Sequence, residues 1–390
     1  EHRMKRTCVL CDHQFMHFKP LNKIYLEEQQ KYGCPKTVPE TLNTDEYECP
    51  ICYGLDRDRL CGLFLKILLR QADIRPLSML DIAPSIPFTR FVTEKFPNIA
   101  YHSADLYMSD VTYCMDVQNM VCVQNEAYDI FLCCHVLEHV QDDIKAMREF
   151  YRILKADGVG LFLVPLDLQQ KVTDEAWGLS EAENWRRFGQ GDHVRKYNKQ
   201  DFVNRLSSVG FCVNQAGESF FGSSAFEENA LTKTSTLYVV SKKPGTLQQV
   251  VAHFQDVYFP KTMLSLPEIF YKNYKREQNI LRCWVDEFSF SEGEMRLCGW
   301  AFLEGEDSSL TSTKVALVGK ETVILYQPQQ VVREDVEAAF NDAKDGKYKR
   351  SGIVLKKEID NIEAGEYKVV LTLQNRKFCI SYDTGYTVYF

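Results

Sequence analysis

Apolar residues run unbroken over positions 130–134, then recur at spacings of three and four at Ile144, Met147, Phe150, Tyr151 and Leu154. The first pattern predicts a buried strand, the second an amphipathic helix. Asp157-Gly158 breaks the helix, a second apolar run covers 159–164, and Pro165 ends it. Strand, helix and strand within residues 128–165 predict one right-handed crossover of a parallel sheet. Ligands of such sheets sit beyond the strand carboxyl ends, here the Cys134-His135 corner. Around this unit the pattern predicts a helix over 60–69, strands over 79–82 and 100–105, and a third strand end at 113–117. A short helix carrying Phe202, Val203 and Leu206, capped by Asp201, ends at Gly210-Phe211. A last strand over 237–241 is expected to close the sheet, and Lys242-Lys243-Pro244-Gly245 to end the domain.

The texture then changes. Residues 247–277 read as a connector with a helical start, then Phe259-Pro260 and a charged, tyrosine-rich stretch. From Ile280 the apolar positions alternate in short runs, at 295–302, 314–318, 323–327 and 367–373, with turn residues between them. That alternation predicts an antiparallel β-sandwich.

Composition narrows the picture. A chain of 390 residues has room for two or three domains with real cores. A net charge of −8 argues against nucleic acid as the main partner. No apolar run approaches the roughly 18 residues of a membrane span, and no signal-peptide pattern opens the chain. Fourteen cysteines, two of them adjacent at Cys133-Cys134 inside the predicted strand, fit free thiols in a reducing cytoplasm better than a disulfide framework.

Four of those cysteines form two CxxC knuckles, Cys8/Cys11 and Cys49/Cys52. Two knuckles complete a closed tetrahedral zinc site, and a closed site is structural, not catalytic. The bland alternative is four buried thiols. Residues 21–45 between the knuckles are long for one zinc ribbon and read as an insertion; Cys34 in it is a spare ligand, and His13 and His17 are possible substitutes. His135 and His139 have the spacing of a zinc-binding helix, but Glu138 does not stand where an HExxH site needs it, so no metal is expected there.

Tyr128-Asp129, His135 to Val140, Asp142-Asp143, Ala146, Glu149, Arg152, Leu154-Lys155 and Gly158 together closely resemble the fourth-to-fifth-strand phrase of class I S-adenosylmethionine (SAM) methyltransferases of the type 11 group. The phrase from Phe188 to Tyr197, FGQGDHVRKY, and the knuckles followed by Leu55-Asp56-Arg57-Asp58-Arg59-Leu60 resemble the same group. The resemblance implies an α/β, Rossmann-like class I methyltransferase sheet over 61–245, preceded by a zinc-binding segment at 1–60. The end of the chain loosely resembles β-sandwich modules appended to enzymes of bacterial cell-surface glycan assembly, through Gly299-Trp300, Arg333-Glu334-Asp335-Val336, Ser351-Gly352-Ile353 and Gly365-Glu366-Tyr367. It implies a helical connector at 246–279 and an accessory sandwich at 280–390.

The same resemblance distributes the cofactor. Asp81, Ala83, Pro84 and Ser85 lead into and form the first loop, which in SAM enzymes normally carries GxGxG; no glycine occurs here, type 11 relatives carry a similar Ala-Pro-Glu phrase, and Ser85 stands where its glutamate is usual. Asp105, with Leu106 beside it, would hold the ribose hydroxyls of SAM through charge-assisted hydrogen bonds. Asp116 and Val117 would meet the adenine, and His135 opens onto the cofactor from the fourth strand. For chemistry, His193 next to Asp192 is the candidate general base on a substrate hydroxyl, with His135 as the next choice, and Arg195 is the candidate anchor for an anionic part of the substrate. A self-stabilised lid over 192–197 is the alternative.

Two functions follow. One is a SAM-dependent methyltransferase acting on a hydroxyl of a sugar in a surface polysaccharide or its precursor, with a glycan or small-molecule acceptor, other glycan-assembly enzymes as partners, SAM as cofactor and zinc as a structural ion. The other is a non-catalytic scaffold keeping the same fold, favoured by the glycine-free loop.

Overall fold

The computed structural model describes residues 5–69, 76–258, 266–275, 279–341, 345–360 and 362–390. Phe259-Pro260 of the predicted connector lies outside the described residues. Two compact units divide the chain. The first comprises residues up to 69, 79–91 and 103–257; the second comprises 76–78, 92–102 and the described part of 258–390.

A seven-stranded sheet organises the first unit. Its strands are β1 (Leu77–Ile82), β2 (Ile99–Asp105), β3 (Tyr113–Cys114), β4 (Tyr128–Cys134), β5 (Leu154–Leu163), β6 (Cys212–Ala216) and β7 (Leu237–Ser241). In space the order is β6-β7-β5-β4-β1-β2-β3. β1 pairs parallel with β4, β4 with β5, and β2 with β3, whereas β7 runs antiparallel to both β5 and β6. The strand order reverses between β1 and β4, which opens a crevice at their carboxyl ends. Every residue of β1 and six of the seven in β4 are buried, the signature of a sheet covered on both faces.

Helix α1 (Lys23–Lys31) lies in the segment expected to be an insertion, and it buries none of its own residues. Helix α2 (Asp56–Leu68) begins earlier than the pattern implied, because Asp58 caps it by accepting from the Leu55 amide. Helix α3 (Ile86–Lys95) follows the first loop. Helix α4 (Asp143–Ile153) ends sooner than expected. Leu154 already belongs to β5, and Gly158 sits inside that strand, where a Cβ would come 2.8 Å from the Asp129 carbonyl oxygen. Helix α5 (Glu181–Phe188) was not predicted from the pattern, and Gly189 caps it with φ +84°. Asn198, not Asp201, caps α6 (Lys199–Ser208).

One strand prediction needs correction. The 237–241 strand does not sit at the sheet edge; β6 takes the edge, and β7 lies between it and β5. The reason is polarity. All five β7 residues are buried, while β6 carries Asn214 and Gln215 and is largely half-exposed, as an edge strand must be.

The second unit is all-β apart from its helices. Strands β8 (Leu281–Ser291), β9 (Glu294–Leu303), β13 (Gly352–Glu358) and β12 (Gln329–Val331) form one antiparallel sheet in that order. Strands β11 (Val323–Tyr326), β10 (Ser312–Val318), β14 (Glu366–Gln374) and β15 (Cys379–Tyr389) form another. Alternate residues of both sheets, including Met295, Leu297, Val315, Leu317, Leu355 and Leu371, share a single buried cluster.

Lys314 lies on the opposite face of β10 and is only 3% exposed. Burial pulls its ammonium down to about 7. Between about pH 7 and pH 10 the unfolded chain therefore carries a proton that the folded chain lacks. Stability should rise with pH across that window by about 1.4 kcal/mol per unit from this residue. Denaturant titrations of Lys314→Met against the parent should show the variant more stable near neutrality and the difference closing by pH 10; a constant difference would refute it.

Among the described residues no helix is long and apolar enough to cross a membrane.

Candidate functional site

The two knuckles are built alike. Asp12 N–H donates to the Cys8 carbonyl at 2.8 Å, and Tyr53 N–H to the Cys49 carbonyl at 3.0 Å. Asp12 and Tyr53 both hold left-handed backbone, φ +58° and +65°, which turns each CxxC around its pair of sulfurs. All four sulfurs lie within 4.8 Å of one another, with Cys8–Cys52 at 3.7 Å and Cys11–Cys49 at 3.9 Å. Four thiolates about 2.3 Å from a tetrahedral zinc would stand roughly 3.8 Å apart. The geometry fits the ion. Cys34, His13 and His17 are not part of the group: the Cys34 thiol faces the Pro35 carbonyl, His13 the Cys11 carbonyl, and His17 the Glu46 carboxylate.

The crevice at the strand ends carries the residues expected to meet the cofactor. Asp81 is buried in β1. Ala83, next in the loop, has φ +54°, so alanine adopts the backbone that glycine usually supplies. Pro84 is half-buried, and the Ser85 hydroxyl accepts from Phe88 N–H at the start of α3. Asp105 at the end of β2 accepts from the amides of Tyr107 and Met108 on Oδ1, at 2.7 and 2.8 Å. Those two bonds fix the carboxylate and leave Oδ2 without a protein donor among the described residues, as a ribose-binding carboxylate requires. Leu106, Tyr107 and Met108 expose apolar side chains beside it, and Ile86 at the start of α3 is exposed too. Asp116 accepts from the backbone and side-chain amides of Gln118, so an adenine amine would share it, while Val117 is buried.

Past the end of β4 the chain turns sharply at His135, which holds φ +55°, a strained value for a residue with a Cβ. His135 N–H bonds to the Leu163 carbonyl, and its ring lines a cavity of about 570 Å³. The cavity wall comes from three places: the segment between the knuckles (Tyr25, Lys36, Tyr47), the residues after β5 (Leu166, Asp167), and the loop after α5 (Gln190, His193). Arg57 of α2 also lines it, its guanidinium donating to the Tyr47 hydroxyl at 2.9 Å.

Glu40 stitches the inter-knuckle segment to the sheet. It accepts from Tyr238 of β7 at 2.9 Å and from Lys199 of α6 at 2.6 Å, and its N–H donates to the Leu166 carbonyl. Burial pushes this carboxyl upward against the pull of Lys199. The segment read as a zinc-ribbon insertion is thus a wall of the cavity, and none of its lining residues was expected from the sequence. Their pattern carries no period that would flag them, since α1 faces solvent on most sides.

The FGQGDHVRKY phrase folds back onto the loop after β4, and two expected roles change there. Asp192 does not orient His193. Its exposed carboxylate lies 3.3 Å from His139 Nδ1, and His193 is 4% exposed, its Nδ1 without a hydrogen-bond partner among the described residues. Burial pulls His193 down to about 4, against the attraction of Glu138. Arg195 is not free to hold a substrate anion either. It is 3% exposed, donates to the carbonyls of Leu137, Val140 and Gln141, and pairs with Glu175 at 3.1 Å. Those donors are spent on holding the phrase against the loop, which is the lid alternative for this arginine. Glu138, missed as a site residue although it lies within the recognisable phrase, is fully buried. Burial pushes its carboxyl up, but His135, His193 and His139 hold it at about 2.

Residues 89–162, from α3 through β5, match the type 11 family model described as a methyltransferase domain. No curated protein matches the chain. Among solved structures, Haemonchus contortus phosphoethanolamine N-methyltransferase 2 in complex with SAM is 13% identical over 49% of this chain and 53% of that one, with a TM-score of 0.33. Burkholderia thailandensis 1,6-didemethyltoxoflavin-N1-methyltransferase with bound 1,6-didemethyltoxoflavin and S-adenosylhomocysteine is 12% identical over 44% and 72%, at 0.31. The [4+2]-cyclase SpnF is 14% identical over 56% and 90%, at 0.32. Residues 89–162 thus match a methyltransferase domain and lie in a Rossmann-like sheet, with further antiparallel sheets after it.

Proposed function

We propose that this chain methylates a hydroxyl of a sugar in a cell-surface polysaccharide or its precursor, with SAM over the β1, β2 and β3 ends and the acceptor in the adjoining cavity. The observation that carries the reading is His135: it sits on the strained corner where β4 opens toward the cofactor, and its ring also lines the cavity. Methyl transfer from a sulfonium is a direct displacement, so alignment of an acceptor beside the cofactor is most of the task. Tyr25, Tyr47, Gln29, Asp167 and Gln190 give the cavity aromatic faces and hydrogen-bonding groups suited to a polyhydroxylated ring. Arg57 replaces Arg195 as the cation available to an anionic acceptor. A sugar hydroxyl needs its proton removed, and the cavity histidines, His135 and His193, are the groups placed for that. In this reading residues 1–60 are a zinc-binding segment, 61–245 the catalytic domain, 246–279 a connector and 280–390 an accessory module, with Cys8, Cys11, Cys49 and Cys52 holding a structural zinc.

Calorimetric titration with SAM, followed by a mass-shift screen of sugar acceptors, tests the assignment. Asp105→Ala should weaken SAM by about ten- to a hundredfold, since it removes charge-assisted bonds worth roughly 1.5–3 kcal/mol. Unchanged affinity in a folded variant would move the cofactor elsewhere, and methylation of amines but no sugar would overturn the acceptor class.

A further inference from the structure

In the cluster beside the cavity, methyl transfer as proposed uses His193 alone and gives Glu138 and His139 no task. Glu138 is fully buried, and apart from His135 Nδ1 at 3.2 Å, which is not in hydrogen-bonding geometry, its oxygens have no hydrogen-bond donor among the described residues. His193 is buried too, and its Nδ1 is likewise unpartnered. Two such groups side by side are costly unless something satisfies both. One oxygen of Glu138, one nitrogen of His139 and one nitrogen of His193 all lie within 4.8 Å of one another.

We propose that Glu138, His139 and His193 bind a divalent transition-metal ion at the floor of the cavity, separate from the four-cysteine site. The donor set is two imidazoles and one carboxylate, which suits zinc and its first-row neighbours and leaves coordination positions open. Ligands about 2.0–2.2 Å from a tetrahedral ion stand roughly 3.3–3.5 Å apart. His139 Nε2 is 3.9 Å from Glu138 Oε1, a gap that small side-chain rotations close. The rings of His139 and His193 meet edge to face at 4.7 Å.

Outer contacts favour the same reading. His139 Nδ1 faces the Asp192 carboxylate at 3.3 Å and the Asp192 carbonyl at 3.3 Å, so its proton belongs on that side and the Nε2 lone pair points inward. A carboxylate behind a ligating histidine is the usual arrangement at metal sites. His135 Nδ1, 3.2 Å from Glu138 Oε1, steadies the carboxylate from the other side without joining the trio. Since His193 lines the cavity, the open positions face the acceptor space. A hydroxyl bound there would lose its proton more readily, whatever molecule carries it.

Cobalt titration of chelator-stripped protein tests this without any methyl acceptor. Two equivalents are expected: one with the intense thiolate-to-cobalt charge-transfer band of a four-cysteine site, one with only the weak ligand-field bands of nitrogen and oxygen donors. His193→Gln and His139→Ala should each abolish the second equivalent and keep the thiolate band, which also reports that the chain is folded. Should His193→Gln fail to fold, the half-exposed His139 gives the deciding variant. A single equivalent with thiolate bands alone, or a second equivalent that survives His139→Ala, would overturn the site.

Discussion

Cys49→Ser is expected to loosen the chain around both knuckles and to open the outer wall of the cavity, while the sheet stays folded. Apart from Glu40 and the carbonyls gathered by Arg59, the segment has few anchors: its buried apolar residues are chiefly Val9, Leu10 and Phe18 with Cys8 and Cys49, and α1 buries none. In small zinc-dependent folds the ion supplies about 10–16 kcal/mol of apparent binding free energy, which is folding free energy. Removing one of four thiolates forfeits a large part of that. Metal analysis should find about one equivalent less, and hydrogen exchange over residues 5–55 should accelerate while β1, β4 and β5 keep their protection. SAM affinity should change little, because Asp81 and Asp105 belong to the sheet and Asp116 follows its third strand. Undiminished protection in metal-free protein would show that the knuckles fold without an ion.

Arg59→Met should cost on the order of 3–5 kcal/mol. Arg59 is fully buried, and its guanidinium donates to the carbonyls of Asn229, Tyr47, Gly54 and Glu46 at 2.8–3.1 Å while lying 3.7 Å over the Phe18 ring. Methionine keeps the apolar bulk but abandons four acceptors, each worth about 1–3 kcal/mol when left unsatisfied and dry, with local rearrangement recovering part. Asp56, also buried, loses a neighbouring positive charge in the same step. Thermal unfolding should therefore begin roughly 10 °C lower. Arg59→Lys should rescue little, since one ammonium cannot span carbonyls on three separate loops. Full stability in the lysine variant would mean that charge alone matters here.

The sheet and the knuckles were legible for the same reason: each is specified by neighbours in sequence. A buried parallel strand must be largely apolar, as β1 and β4 are apart from Ser78, Asp81 and Asp129, and a knuckle is complete within four residues. The roles of Asp192, Arg195 and Glu138 were not legible in that way. Asp192 was paired with its chain neighbour His193, but it faces His139 across the fold. Arg195 resembled an exposed anion anchor until three carbonyls of the 137–141 loop were found around it. Glu138 was weighed only at HExxH spacing, and the histidine that completes its group comes from a different loop. The β6 edge strand escaped because its half-exposed residues alternate weakly.

The wall stitched down by Glu40 has a consequence for how this architecture can diversify. The knuckles fix both ends of residues 12–48, and Glu40 pins the middle to Tyr238 and Lys199. With the acceptor in that cavity as proposed, a chimera that replaces residues 21–36 between those anchors should change the range of acceptors and leave SAM affinity as it was, so that specificity and methyl donation would vary independently in this architecture.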